Sequence, residues 1–328
     1  SDDVPVTGVD KVDLLFVIDN SGSMAQEQAK LAEQLPKLVR ILTTGENDKN
    51  GDGKITEDET FTPARDLHIG VVTSDMGLSG SKLELPPSCG GTRGRGPTGF
   101  GDDGLLVKSN SGCSGSASAG YLNFVPDKVP ENQREAELED TISDFTCLAA
   151  VGTDGCGFEQ QLEAAYKAVA PKAVKDFAGG TSGHGDAENK GFLRPEAVLA
   201  IIHVSDEEDC SVTDKGMVMF DDNSNAEGVL LPGTNTRLGL NLRCSYTSDP
   251  TSRRSQAEEY GYVHDTDRYV VDFKKNVKPL NPDRIVFAAI VGIPEDKEDA
   301  SFEEMLDDVR MDFAMDPQIG GGDPTIRN

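Results

Sequence analysis

Four runs of consecutive apolar residues divide the sequence, and they cover residues 12–18, 67–73, 197–204 and 285–291. None of them shows the regular alternation of apolar and polar residues that marks a strand with one solvent-exposed face. Strands with continuous apolar runs are buried on both faces, as they are in parallel sheets. The pattern therefore predicts four parallel strands in one sheet.

Segments with apolar residues at helical spacing lie between and after these runs. In the first of them, residues 26–42, apolar side chains recur every three or four positions, although Pro36 is expected to kink or restart the helix. Strands that alternate with helices predict a doubly wound α/β sheet, mostly parallel, with helices on both faces. The other predicted helices cover residues 135–151, 158–169, 267–277 and 302–313.

Two long polar stretches interrupt this alternation. Residues 77–120 are rich in Gly and Ser, and residues 209–254 have few periodic apolar positions. Both are too long for ordinary connections, so we expect functional surface insertions or loops pinned by cross-links. A chain of 328 residues can hold one large domain or two smaller ones. We favour one elaborated domain over residues 10–328.

The chain has six cysteines, and none shows the CxxC spacing of zinc or redox sites. An even number without that spacing favours disulfides, which imply an oxidising, extracytoplasmic location. Six reduced core cysteines are the alternative, and the polar surroundings of several of them argue against it. Successive pairing would close each loop within one insertion or junction, and it predicts the bridges Cys89–Cys113, Cys147–Cys156 and Cys210–Cys244.

Acidic residues dominate the composition, with 58 Asp and Glu against 31 Lys and Arg, so the formal net charge is -27. This charge repels nucleic acids and anionic membrane surfaces, whereas it suits the binding of cations. Most of these carboxylates must be solvated surface, so only spacing can identify ligands. No run reaches the roughly 18 apolar residues of a membrane helix, and no signal peptide is recognisable. We therefore expect a mature segment without a membrane span, with any lipid or other anchor outside it.

The first apolar run ends in the sequence DNSGSM, which places Asp19, Ser21 and Ser23 on a tight turn before the first helix. In an open parallel sheet, ligands bind outside the carboxyl ends of the strands. Hydroxyls with few carboxylates suit a hard ion such as Mg²⁺. The alternative is that Asp19 and Ser21 only cap the helix. Two further residues favour a metal, because Thr153 lies in a Gly-Thr turn before a helix and Asp206 follows the third apolar run.

With these residues, the sequence resembles a von Willebrand factor type A domain over about residues 10–295. The resemblance rests on the DxSxS turn after the first strand, a Thr in a later loop and an Asp after the fourth strand of the family. It implies a metal-ion-dependent adhesion site that holds Mg²⁺ or Mn²⁺ and leaves a position for an Asp or Glu of a protein partner. The residues that match the ligands of the family are Asp19, Ser21, Ser23, Thr153 and Asp206.

A second cation motif, DKNGDGKITEDE, spans residues 48–59 and matches the EF-hand calcium loop. Every ligand position is filled and Gly53 allows the sharp bend, so a loop that binds nothing is the weaker alternative. Pro63 and the second predicted strand follow closely and leave no room for a long outgoing helix. We therefore expect a structural Ca²⁺ that pins the link between the first helix and the second strand. Its ligands would be Asp48, Asn50, Asp52, the Lys54 carbonyl, Thr56 and Glu59.

None of the four histidines falls in a recognisable catalytic motif, and the sequence contains no GxSxG, HExxH or P-loop pattern. We therefore do not expect an enzyme, and no catalytic residue is assigned. The sequence predicts a bacterial-type, secreted or surface-anchored adhesion module that recognises an acidic residue of a protein partner. The alternative is a structural or assembly protein of the cell surface whose cations only stabilise the fold.

Overall fold

The computed structural model describes most of the region between residues 10 and 291. The described residues are 10–49, 51–78, 89, 95–97, 99–109, 117, 119–221, 224–230, 233–239, 243–244, 246, 255–291, 301 and 304. Asn50, Cys113 and nearly all of the predicted helix at 302–313 lie outside them.

Five strands form one sheet in the order β3-β2-β1-β4-β5. The central strand β1 (Lys11–Ile18) is parallel to β2 (Asp66–Thr73) on one side and to β4 (Val198–Val204) on the other. β5 (Ile285–Ile290) continues the parallel part beside β4, whereas β3 (Tyr121–Phe124) is antiparallel to β2 at the opposite edge. The predicted α/β fold with a mostly parallel sheet is confirmed. The sequence did not indicate β3, because this strand is only four residues long and follows a polar stretch.

Helices flank the sheet. α1 (Ala25–Thr44) does not restart at Pro36. Its buried face extends both before and after the proline, so packing holds the helix along its whole length. α5 (Thr266–Asp272) continues directly into a π-helical turn (Phe273–Val277). No helix of the described residues is both long enough and apolar enough to cross a bilayer. The other helices are α2 (Arg134–Ala149), α3 (Gln161–Val169) and α4 (Gln256–Glu259), and short 3-10 turns cover Gly22–Met24, Glu57–Glu59, Pro126–Lys128, Glu131–Gln133, Ala178–Gly180 and Lys215–Phe220.

Side chains of β1 alternate between two separate parts of the core. Leu14, Phe16 and Ile18 pack with α1 and α2 on one face of the sheet. Leu15 and Val17 pack with α3 and α5 on the other face. Because both faces of β1 are covered, its sequence reads as a continuous apolar run. The helices therefore lie on both faces of the sheet, as predicted.

Parts of both insertions pack together in a third group of buried side chains, which we call the insertion core. Leu78 comes from the first insertion, and Met219 and Phe220 come from the second. Phe158, from the segment between α2 and α3, packs edge to face against Phe220 with 4.6 Å between the ring centroids. The described parts of the insertions therefore have ordered packing of their own.

Two disulfides lie within the insertion core. They are Cys89–Cys156 and Cys210–Cys244. The second is predicted correctly, whereas the predicted bridges Cys89–Cys113 and Cys147–Cys156 are wrong because Cys89 and Cys156 are joined to each other. Cys147 is also disulfide-bonded, and no described cysteine is free. Packing of the first insertion on the segment before α3 brings together two cysteines 67 residues apart, which sequence proximity cannot indicate.

The last strand of the described sheet departs from the expectation of burial on both faces. Val286, Phe287 and Ile290 of β5 are between 44% and 50% exposed. In the described part of the chain, β5 pairs with β4 along one side only. An edge strand of this kind is covered less than β1 or β2, although its sequence is equally apolar.

Candidate metal centre at the carboxyl edge of the sheet

Two neighbouring strands end side by side at the carboxyl edge of the sheet. Ile18 at the end of β1 lies opposite Val204 at the end of β4 in the parallel register. The backbone N–H of Asp19 then donates to the carbonyl of Val204 over 2.9 Å. The residues that follow the two strands therefore meet at this edge, where open α/β sheets bind their ligands.

The Asp19 carboxylate is fully buried at this edge. Its Oδ1 accepts hydrogen bonds from the backbone N–H of Ser21 at 2.8 Å and from the Ser74 hydroxyl at 3.4 Å. Its Oδ2 accepts one from the Ser205 hydroxyl at 2.7 Å. All three donors are neutral, so they orient the carboxylate but do not cancel its charge. A buried carboxylate surrounded by neutral donors is a suitable place for a cation.

Two serine hydroxyls and a second carboxylate continue this group. The hydroxyl oxygens of Ser21 and Ser23 lie 3.2 Å apart. The Ser23 hydroxyl donates to Oδ1 of Asp206 over 3.0 Å. Ser21 is buried and Ser23 is exposed, so the group extends from the core to the surface. The structure therefore brings four of the five predicted metal-site residues into one hydrogen-bonded group.

The loop that carries the fifth residue, Thr153, lies against the same turn. Nε2 of Gln28 donates both to the Asp19 carbonyl at 2.8 Å and to the Gly152 carbonyl at 2.7 Å. On the other side of Thr153, the backbone N–H of Gly155 donates to the Asn20 carbonyl at 2.8 Å. Within the described residues, the Thr153 side chain is hydrogen-bonded to none of the other four. Its loop is therefore placed at the site, whereas its hydroxyl is not linked to the group.

Negative charge accumulates around the group. Burial raises the pKa of Asp206, and the nearby charges of Asp19 and Glu27 add to the rise. Burial, followed by the charges of Asp206 and Asp19, raises the pKa of Glu207 to about 7. Burial also raises the pKa of Glu159 to about 9, again with a contribution from Asp19. A divalent cation would offset this repulsion, so the electrostatics fit a bound metal ion.

The donor set favours a hard ion. Among the described residues, no three His, Cys, Asp or Glu side chains converge as a ready metal-ligand group. The candidate centre has a different composition, because it combines two carboxylates with serine hydroxyls. Oxygen ligands without His or Cys are typical of Mg²⁺ and Mn²⁺ and unlike those of Zn²⁺.

Four polar residues that sequence reasoning missed support this centre. Ser74 and Ser205 directly follow β2 and β4, and their position at strand ends is the signal that could have identified them. Gln28 comes from α1 and Gln161 is the first residue of α3. Nothing in the sequence distinguishes these two from other glutamines on helices.

The loop of residues 48–59 is closed at its base. An antiparallel bridge joins Glu46 to Thr60, and the backbone N–H of Asn47 donates to the Glu59 carbonyl over 2.8 Å. Gly53 has a φ of 76°, which lies in the left-handed region that glycine adopts without strain. The bend expected from the calcium motif is therefore present.

The carboxylates of this loop accept hydrogen bonds from its own backbone. Asp48 accepts from the N–H groups of Asp52 at 3.1 Å and Gly53 at 2.8 Å. Asp52 accepts from the N–H of Lys54 at 2.8 Å. Glu59 accepts from the N–H of Thr56 at 3.0 Å and also from the Thr56 hydroxyl at 2.7 Å. These carboxylates do not form a three-carboxylate cluster, although all of them belong to one closed loop.

Neither a protein-family model nor a curated protein matches this sequence.

Proposed function

We propose that this chain is an extracytoplasmic binding module of the von Willebrand factor type A class, and not an enzyme. It would bind an acidic residue of a protein partner through Mg²⁺ or Mn²⁺. A mostly parallel sheet with helices on both faces is the architecture that this class would require. The two disulfides support an extracytoplasmic location.

The observation that carries the proposal is the hydrogen bond between Ser23 and Asp206. It joins the turn after β1 to the segment after β4 across 183 residues of sequence. Together with the contact between Ser21 and Ser23, it gathers hydroxyl and carboxylate oxygens at the place where both strands end. Asp19, Ser21, Ser23, Thr153 and Asp206 would hold the ion. When bound, the ion would supply an electrophilic position for a carboxylate oxygen of the partner.

The protein side of this binding depends on orientation. Neutral donors hold Asp19, and the hydroxyls of Ser21 and Ser23 add oxygen ligands without adding negative charge. The exposed position of Ser23 places one end of the group at the surface, where a partner can reach it. The loop of residues 48–59 would hold a structural Ca²⁺ and fix the link between α1 and β2.

Calorimetric titration with Mg²⁺ tests the metal site. We expect the wild-type chain to bind Mg²⁺, Asp19→Ala to lose binding, and Gln26→Ala to bind normally, because Gln26 is exposed and outside the group. Retained binding by Asp19→Ala would contradict the site.

Capture of a partner from native surface extract then distinguishes an adhesion module from a structural or assembly protein. An adhesion module should capture a partner in Mg²⁺, lose it in EDTA and fail to capture it as Asp19→Ala. A structural or assembly protein would instead lose only thermal stability on chelation. Capture that survives Asp19→Ala would place binding on the insertions.

A further inference from the structure

Ser205 connects the Asp19 carboxylate to helix α3. Its hydroxyl oxygen lies 2.7 Å from Oδ2 of Asp19 and 2.8 Å from Nε2 of Gln161. The backbone N–H of Glu207 also donates to it over 3.1 Å. Ser205 and Gln161 are 6% and 4% exposed, so water does not compete freely for these groups.

The direction of these hydrogen bonds follows from the chemistry of the groups. An ionised carboxylate can only accept, so the hydrogen bond between Ser205 and Asp19 forms only when the single hydroxyl proton of Ser205 points at Asp19. Its remaining lone pairs then have to receive donors, and the Gln161 amide and the Glu207 N–H supply them. The carbonyl of Glu207, 3.2 Å away, is the competing acceptor for that proton. Gln161 therefore favours the arrangement in which Ser205 donates to Asp19.

The segment after Ser205 is fixed on the start of α3. Asp209 accepts a hydrogen bond from the backbone N–H of Leu162 at 2.8 Å. The Ser211 hydroxyl accepts one from the N–H of Glu163 at 3.0 Å. The residues that follow Gln161 are thus joined to the residues that follow Ser205, which holds the two segments together beside the Gln161–Ser205 hydrogen bond. Such support orients a ligand before the metal binds.

We propose that Ser205 and Gln161 are positioning residues of the candidate metal centre, which hold the Asp19 carboxylate in the orientation that binds the ion. This inference rests on the proposed metal-binding function. The donors from Ser21, Ser74 and Ser205 occupy three of the roughly four acceptor directions of a carboxylate. Asp19 therefore keeps about one direction for the ion or for a water bound to it.

Titration calorimetry with MgCl₂ on the full chain tests the inference. Removal of a group that orients a metal ligand typically weakens metal affinity by about 10–100-fold, and we expect this loss for Ser205→Ala and for Gln161→Met. Ser205→Thr keeps the hydroxyl and should restore affinity. Thermal unfolding in EDTA, measured in parallel, reports any loss of stability separately from the loss of affinity.

Gln160 provides a matched control. It is 1% exposed, and its side chain makes two hydrogen bonds, to the carbonyl of Gly77 and from the N–H of Val212, neither of which leads to Asp19. Gln160→Met should lower stability in EDTA and leave the Mg²⁺ affinity unchanged. An equal loss of affinity in Gln160→Met and Gln161→Met would overturn the inference, because the effect would then be one of packing.

The remaining outcomes are also decisive. Wild-type affinity in both Ser205→Ala and Gln161→Met would overturn the positioning role and leave the proposed function intact. Absence of Mg²⁺ binding by the wild-type chain would overturn the proposed function, and the positioning role would fail with it.

Discussion

The hydroxyl of Ser23 donates to Oδ1 of Asp206 over 3.0 Å, although 183 residues separate the two in sequence. The contact exists because β1 and β4 are parallel neighbours and end at the same level of the sheet. A helix cap on the turn after β1 would require no such contact. Ser21 holds the capping position before the 3-10 turn, but its side chain makes no capping hydrogen bond there. The serine hydroxyls of this turn therefore face the end of β4 rather than the helix.

Chelation should make stability depend on pH. Burial and neighbouring charges raise the pKa of Asp206, and that of Glu207 to about 7. The unfolded chain has a Glu207 pKa of about 4.5, whereas the metal-free folded state has one of about 7. Between these two pH values, the folded state therefore binds more protons than the unfolded state. Its free energy of unfolding in EDTA should fall as the pH rises through this window, and saturating Mg²⁺ should make that fall smaller.

Urea unfolding at several pH values between about 5 and 8 measures this dependence. Asp206→Asn should reduce the slope in EDTA, because it removes one of the mutually repelling carboxylates, and should weaken Mg²⁺ binding. A slope in EDTA equal to that in Mg²⁺ would show that no cation offsets these charges.

Calcium should stabilise the chain through the loop of residues 48–59. At about 100 times its dissociation constant, a ligand that binds only the folded state adds about 2.7 kcal/mol of stability. We expect Ca²⁺ to raise the melting temperature of the wild type and to have little effect on Glu59→Gln, which loses a charged ligand. Glu57→Gln is the matched control, because Glu57 is exposed and holds no ligand position of the motif. An equal Ca²⁺ response in both variants would place the calcium elsewhere.

The sequence predicted those features that short stretches determine. The four strands and the helices α1, α2 and α3 follow from local apolar patterns, because burial on one or two faces imposes those patterns. The DxSxS turn was recognisable for a similar reason, since the three side chains that carry its oxygen ligands lie within five consecutive positions. Asp206 could be paired with it only through the order of the strands.

The features that the sequence did not predict depend on packing between distant segments. Cys156 pairs with Cys89 because the first insertion lies over the segment before α3, and no local pattern records that placement. The role of Gln161 depends on the position of α3 beside β4. Both ring nitrogens of His184 are hydrogen-bonded to acidic residues, Asp103 and Glu188, and Asp103 lies 81 residues away in sequence.

His184 should make a stabilising contribution that weakens at high pH. Burial alone would lower its pKa, but the hydrogen bonds to Asp103 and Glu188 outweigh burial and raise it. A raised histidine pKa gives stability that is fully present below the unfolded value of 6.5 and is lost as the pH rises through the folded value. Lys167, which contacts the same Asp103 carboxylate, opposes the rise.

We therefore expect His184→Phe to lose about 1–3 kcal/mol of stability near pH 6 and less near pH 9, in urea unfolding. His203 supplies a control of opposite sign, because burial lowers its pKa to about 4. The wild type should lose stability relative to His203→Phe as the pH falls below about 6.5. A His184→Phe difference that does not change with pH would mean that His184 contributes packing alone.

The two disulfides of the insertion core should differ in their effect on metal binding. Cys156 lies three residues after Thr153, and Cys210 lies four residues after Asp206, so each bridge restrains one of the two remote ligand loops. The loop with Asp206 is also held on α3 by hydrogen bonds such as that between Asp209 and Leu162. Removal of the Cys89–Cys156 bridge should therefore weaken Mg²⁺ binding more than removal of the Cys210–Cys244 bridge.

Paired Cys→Ala variants of each bridge, titrated with Mg²⁺ and unfolded in EDTA, test this difference. Both bridges close long loops, so the loss of either should cost about 3–5 kcal/mol of stability by the chain-entropy argument. Stability alone then does not distinguish them, whereas affinity does. A larger loss of Mg²⁺ affinity in the Cys210 and Cys244 variant would mean that the hydrogen bonds to α3 do not hold the Asp206 loop. Equal and unchanged affinities would mean that neither bridge positions a ligand.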